Sequence, residues 1–228
     1  MTAHPSISVN KLAEYINSKG ARQRKILTDR KHPDPEFSIG MYHREAAETV
    51  ASYISGGCVD TAAINQQLAI LSQMKPDKIG TARRINGNID ALERFSEMLD
   101  MINLAGADPS LGSNSPAKLT VHNVRISVRP EIILKGIGPK GKACVGALKF
   151  HFSRTHPHDD DSAGYVSAIV QEWCRLHLAQ GDEIVHPAYC QVIDVASGKV
   201  FAGVKATAQR LKDVAAECQN IAALWPSI

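Results

Sequence analysis

Glu131 and Lys149 are the residues whose types and spacing best suit chemistry. Glu131 follows Pro130 and opens the apolar run Ile132-Ile133-Leu134. Lys149 lies where Cys144, Gly146, Leu148, Phe150 and Phe152 alternate with Val145, Ala147, Lys149 and His151. Period-two alternation predicts a strand and puts Lys149 and His151 on the face opposite the aromatic residues. An acid on one strand and a lysine on the next can act on a phosphodiester. The carboxylate would hold Mg²⁺, which takes hard oxygen ligands, orients water and absorbs charge on the phosphate oxygens. The ammonium would steady the attacking hydroxide or the transition-state charge. The plainer alternative is a cross-strand ion pair on a solvated sheet face.

A second constellation is HFSRTHPHDDD, residues 151 to 161. Its imidazoles and carboxylates, His151, His156, His158 and Asp159 to Asp161, are ligand types for a transition metal. The spacing fits no zinc pattern. A strand-to-helix loop is expected there, with acids favoured at the helix N-terminus and Asp161 or Ser162 as its cap. A third feature is basic: KGARQRKILTDRKH, residues 19 to 32. Arg22, Arg24, Lys25, Arg30 and Lys31 are candidate contacts to nucleic-acid phosphates, which such side chains neutralise without reading bases. The alternative is a solvated helix end whose charges pair with acids such as Glu14.

Other chemistries find less support. GIGPKGK, residues 136 to 142, is not GxxxxGK[ST] and precedes a strand, which excludes a phosphate-binding P-loop. No GxSxG elbow occurs. The five cysteines include no CxxC pair and sit in apolar segments, as small core residues do. That usage fits a reducing compartment. Trp173 and Trp225 fall on helical apolar stripes and are expected in the core. Net charge is only +3, so any nucleic-acid surface must come from local clustering. The first residues lack a signal-peptide layout, and no apolar run approaches the ~20 residues of a membrane span. A cytoplasmic protein with no membrane partner is expected.

The elements that must position these residues divide the chain. Ser8 is a candidate cap for a helix carrying Val9, Leu12, Ala13 and Ile16. Pro33-Asp34-Pro35 predicts a bend, and helices are expected at Met41 to Ile54 and Thr61 to Gln73. Ile85 to Leu104 shows the longest periodicity of the first half. Residues 105 to 117, AGADPSLGSNSPA, read as a loop and a border. Beyond it, strands are expected at 119–129, 131–135 and 143–153, then a helix at 163–178. A strand hairpin at 189–204 turns at Ser197-Gly198, and a last helix ends before Pro226. The fold class is α/β (α+β): a small mixed sheet flanked by helices, with a mainly helical N-terminal half. The expected division is a helical region, 1–104, and a sheet-containing core, 118–228, with helix 85–104 packed on it.

This element order resembles the core of the PD-(D/E)XK, or restriction-endonuclease-like, superfamily over roughly the last 140 residues. In that family an acid near the end of the second core strand and a D/E-x-K tripeptide on the third gather at one sheet edge. Arg129-Pro130-Glu131 falls where the family's Pro-acid pair would lie, and Lys149 takes the place of its lysine. The tripeptide is Ala147-Leu148-Lys149, so the second carboxylate is missing. The resemblance implies a Mg²⁺-dependent nuclease acting on DNA or RNA, with Glu131 as metal ligand, Lys149 as transition-state stabiliser and a relocated second acid. Glu172 on the following helix is the preferred substitute. Asp159 and Asp160, with Asp161, are alternatives just after the third strand, and Glu93 and Glu97 are others on the preceding helix. The departure at Ala147 equally suits a non-catalytic nucleic-acid-binding or scaffold subunit that meets a protein partner in a larger complex.

Overall fold

The computed structural model describes residues 4–33, 42–138 and 141–228. The bend at Pro33-Asp34-Pro35, the start of the Met41 helix and part of GIGPKGK lie outside the described residues. Within them are seven α-helices and two mixed sheets, an α/β fold. Among the described residues no helix is long and apolar enough to cross a membrane.

The larger sheet contains β2 (Asp108–Leu111), β5 (Ile132–Ile137), β6 (Ala143–His151), β8 (Val192–Asp194) and β9 (Lys199–Phe201), adjacent in that order. β5 is antiparallel to both β2 and β6. β8 runs parallel to β6, and β9 turns back against β8. The parallel pair needs a crossover, which α6 (Asp160–His177) supplies. The short β7 (Ile184–Val185) pairs with the first part of β6. A smaller sheet joins β1 (Ser6–Ser8), β4 (Val124–Ser127) and β3 (Leu119–Val121).

Helices cover both faces of the larger sheet. One core combines Ala147 and Val192 with α1 (Val9–Ile16), α2 (Gly20–Lys31), α6, α7 (Ala208–Leu224) and the small sheet. The other joins Cys144, Leu148, Phe150 and Ile193 to α3 (Arg44–Ser55), α4 (Ala62–Gln73) and α5 (Ile79–Ser96). The first half of the chain therefore contributes to both cores, and β1 pairs directly with β4. Helix α5 does pack on the sheet through Leu92 and Phe95.

Several local expectations hold. Ser8 Oγ accepts from Lys11 N and caps α1. Gly198, at φ 65°, turns β8 into β9. Trp173 and Trp225 are buried, and all five cysteines are free. Others need correction. Residues 119–129 are not one strand but a hairpin, because His122 and Asn123 take φ 46° and 65° and reverse the chain. Residues 105–117 contain β2, whose Pro109 is tolerated because the strand lies at the sheet edge. Helix α5 begins at Ile79 and ends at Ser96, and a 3-10 turn at Leu99–Met101 follows. The cap of α6 is Asp159, which accepts from Ser162 N while Ser162 Oγ accepts from Asp159 N, a capping box.

The candidate site at the carboxyl ends of the parallel strands

Because β6 and β8 are parallel, their carboxyl ends lie together, with His151 opposite Asp194. The loop after β6 returns to the same end, since His158 N donates to Asp194 Oδ2 at 2.5 Å. Open α/β sheets bind ligands at such carboxyl ends. Here that end carries buried polar groups: Lys149, His151, His158 and Asp194.

Glu131 and Lys149 meet. Ile132 is registered with Leu148, so Glu131 falls opposite Lys149. The Lys149 ammonium is hydrogen-bonded to Glu131 Oε1 and donates to the Arg129 carbonyl at 2.9 Å. The other carboxylate oxygen accepts from Phe150 N at 2.8 Å. The lysine side chain is 10% exposed and the glutamate 22%, so this is not a solvated surface pair. Arg129 reaches the pair at a cost in backbone strain. Its φ is 41°, and the residue before a proline already has a restricted backbone. Gly112 makes room behind it, since a Cβ there would sit 2.0 Å from Pro130 O.

Ala147, where the resemblance calls for the second acid, is fully buried in the core beneath α1 and α6. A carboxylate there would be buried among apolar side chains. The substitutes are dispersed. Glu172 is ion-paired with Arg175 at 2.7 Å. It sits three turns into α6, about 18 Å along the axis from the end nearest Lys149. Asp159 is occupied as the helix cap, and hydrogen bonds from Ser162 hold its carboxyl below the usual carboxylate range. Asp160 is exposed beside it, and Asp161 lies 4.0 Å from Arg210. Glu131 thus meets its lysine, but among the described residues Glu172 and Asp159 bond elsewhere and Asp160 is not bonded to the pair. Among the described residues no three His, Cys, Asp or Glu side chains gather as a metal site. Both Glu131 oxygens accept hydrogen bonds, and Ala147 supplies no second carboxylate beside them.

His151 is hydrogen-bonded through its ring, whereas the buried His158 Nε2 has no hydrogen-bond partner among the described residues. His151 Nε2 donates to the His156 carbonyl at 2.8 Å, and its ring lies 4.0 Å from that of His158. Burial pushes the pKa of His151 down, against the opposing pull of Asp194. Burial, reinforced by His151, pushes His158 down to about 3. Asp194 also accepts from Ala196 N and Ser197 N at 2.9 and 3.2 Å, so it braces the loop after β6 against the β8–β9 turn. The expected strand-to-helix loop is present, with Arg154, Thr155 and Pro157 exposed, but it buries His151 and His158 at its two ends.

The basic segment is largely engaged within the chain. Arg22 is bonded to Glu14, and Lys25 to Asp29 at 2.9 Å. Arg30 Nε donates to Ser6 O, and Lys31 Nζ to Trp225 O and Ile228 O. Arg24 is exposed. Glu14 does pair with the basic segment, through Arg22, and the residues overlooked in the sequence are Asn10 and Lys11 on α1. Asn10 Nδ2 donates to Phe150 O at 2.9 Å, which brings α1 against this sheet end. No local motif marks them, because their place depends on a contact 140 residues away in sequence.

No protein-family model matches the chain, and no curated protein matches it significantly.

Proposed function

We propose that this chain binds nucleic acid through a restriction-endonuclease-like core whose metal site has lost its second acid, and that it does not cut. The observation that carries the reading is the closed Glu131–Lys149 pair. The two residues that match the family's acid and lysine meet at the sheet end, and each also bonds backbone, Glu131 to Phe150 N and Lys149 to Arg129 O. Ala147, buried beside them, stands in the missing carboxylate's place. Supporting the core assignment is the succession α5, antiparallel β2, β5 and β6, crossover helix α6, parallel β8 and returning β9. Supporting phosphate contact is the local excess of cations on α1 and α2, Lys11 and Arg22 against Glu14. Any cleavage that accompanies binding then belongs to a protein partner of a larger assembly.

The test is a cleavage and binding assay on single- and double-stranded DNA and RNA, with Mg²⁺ or Mn²⁺ and an EDTA control. The expected result is binding that weakens as salt rises, with no metal-dependent scission. Scission that disappears in Glu131→Ala would contradict the proposal and restore a metal-dependent nuclease with a relocated ligand.

A further inference from the structure

We infer that Lys11, Arg22 and His156 form a phosphate-binding subsite held ready by Glu14. The inference rests on the nucleic-acid reading above and names the residues that would grip the backbone.

Three elements converge here: α1 brings Lys11 and Glu14, α2 brings Arg22, and the loop after β6 brings His156. Lys11 Nζ lies 2.5 Å from Glu14 Oε2. Arg22 Nε donates to Glu14 Oε1 at 2.8 Å, and its Nη2 bonds the same oxygen. His156 Nε2 lies 3.5 Å from that oxygen. The arrangement is layered: the Glu14 side chain is 9% exposed, whereas Lys11, Arg22 and His156 are 24%, 31% and 37% exposed. The acid is inside and the donors face outward.

Burial alone would raise the pKa of Glu14, but hydrogen bonds from Lys11 and Arg22 and their charges outweigh it and hold the carboxyl below its ordinary value. The acid therefore stays charged. Two fixed positive charges against one negative leave a net charge of +1, and burial lowers the pKa of His156, which favours its neutral form.

The cations also keep donors in reserve. A guanidinium carries five N–H groups and an ammonium three, and Glu14 takes only part of each set. A guanidinium already fixed by a carboxylate behind it loses less freedom on meeting a second anion. Its planar fork matches phosphate oxygens in two-point contacts. Asn10, the neighbour of Lys11, is bonded to Phe150 O one residue beyond Lys149, so the subsite adjoins the Glu131–Lys149 end of the sheet.

Two readouts test the subsite. One is the His156 ring resonance during titration with inorganic phosphate. The other is anisotropy of a labelled oligonucleotide at several salt concentrations. Arg22→Gln removes the fork, Lys11→Gln gives an independent second lesion, and Lys75→Gln, far along the chain beyond α4, is the control. Phosphate should shift the His156 resonance in the wild type and in Lys75→Gln, and much less in Arg22→Gln. Oligonucleotide affinity should fall about five- to tenfold in Arg22→Gln and in Lys11→Gln, and the salt slope should drop by about one. Circular dichroism of each variant checks that it folds. Should phosphate move His156 while the wild type binds no oligonucleotide, the subsite stands and the nucleic-acid reading fails. Oligonucleotide binding that neither folded variant weakens, with His156 indifferent to phosphate, overturns the subsite and leaves that reading standing.

Discussion

On one face of β6, Cys144, Leu148 and Phe150 belong to the apolar core that also holds Leu92 and Phe95 of α5. On the other, Ala147 enters a core with α1 and α6, and the next two side chains on that face are Lys149 and His151. The same strand thus serves one face by burial alone and the other by burial followed by a buried polar end. Side chains of one sheet face share surroundings only at matched depth. The polar set collects where β6 and β8 finish together, where α6 begins and where α1 crosses. The apolar face anchors the strand, so the polar end can hold charged groups in fixed positions without supplying the stability itself.

The sharpest way to break this comparison is Ala147→Asp. A carboxylate in that fully buried position would sit among apolar side chains, and an unpaired buried charge costs several kcal/mol. The variant should lose its cooperative unfolding transition in denaturant. A folded variant that gained metal-dependent cleavage would show instead a site short of one ligand. On the apolar face, Phe150→Ala should cost about 3–5 kcal/mol in chemical denaturation. Lys149→Met should cost about 3 kcal/mol, because it leaves Glu131 unpaired. A cost below about 1 kcal/mol would mean that the pair is solvated after all.

A pH titration of stability sharpens the polar end further. The folded pKa of His158 is about 3, below the ordinary value for an unfolded chain, so the unfolded state binds more protons between the two values. Its contribution is present above about pH 6.5 and is lost as the pH falls toward the folded pKa. Roughly 2 kcal/mol should go between about pH 7 and pH 5. His158→Phe should flatten that part of the profile. The smallest change is expected from the double variant Glu131→Leu/Lys149→Leu, which removes both charges and should lie within about 1 kcal/mol of the wild type.

Much of the frame was legible because its signals are periodic and local. The alternation through Lys149 and His151 separates the two faces as observed, and the 85–95 stripe does pack on the sheet. Glu131 and Lys149 could be matched because register follows from two adjoining strands. What escaped depends on context. The β3–β4 turn uses His122 and Asn123 without a glycine, so no usual turn signal marks it. β2 carries a proline that only an edge strand accommodates. Burial of the histidines depends on Asp194, more than 30 residues away, and the partners of the basic helix include the backbone at Trp225.

The most direct test of the central claim is to measure binding and cleavage together in the wild type and in Glu131→Leu/Lys149→Leu. A labelled oligonucleotide is titrated across a salt series with Mn²⁺ or EDTA, and strand integrity is read at the end of each point. The account predicts salt-dependent binding of similar strength in both proteins and intact strands in every sample. No binding by the wild type at low salt, or Mn²⁺-dependent scission that the double variant abolishes, would contradict it.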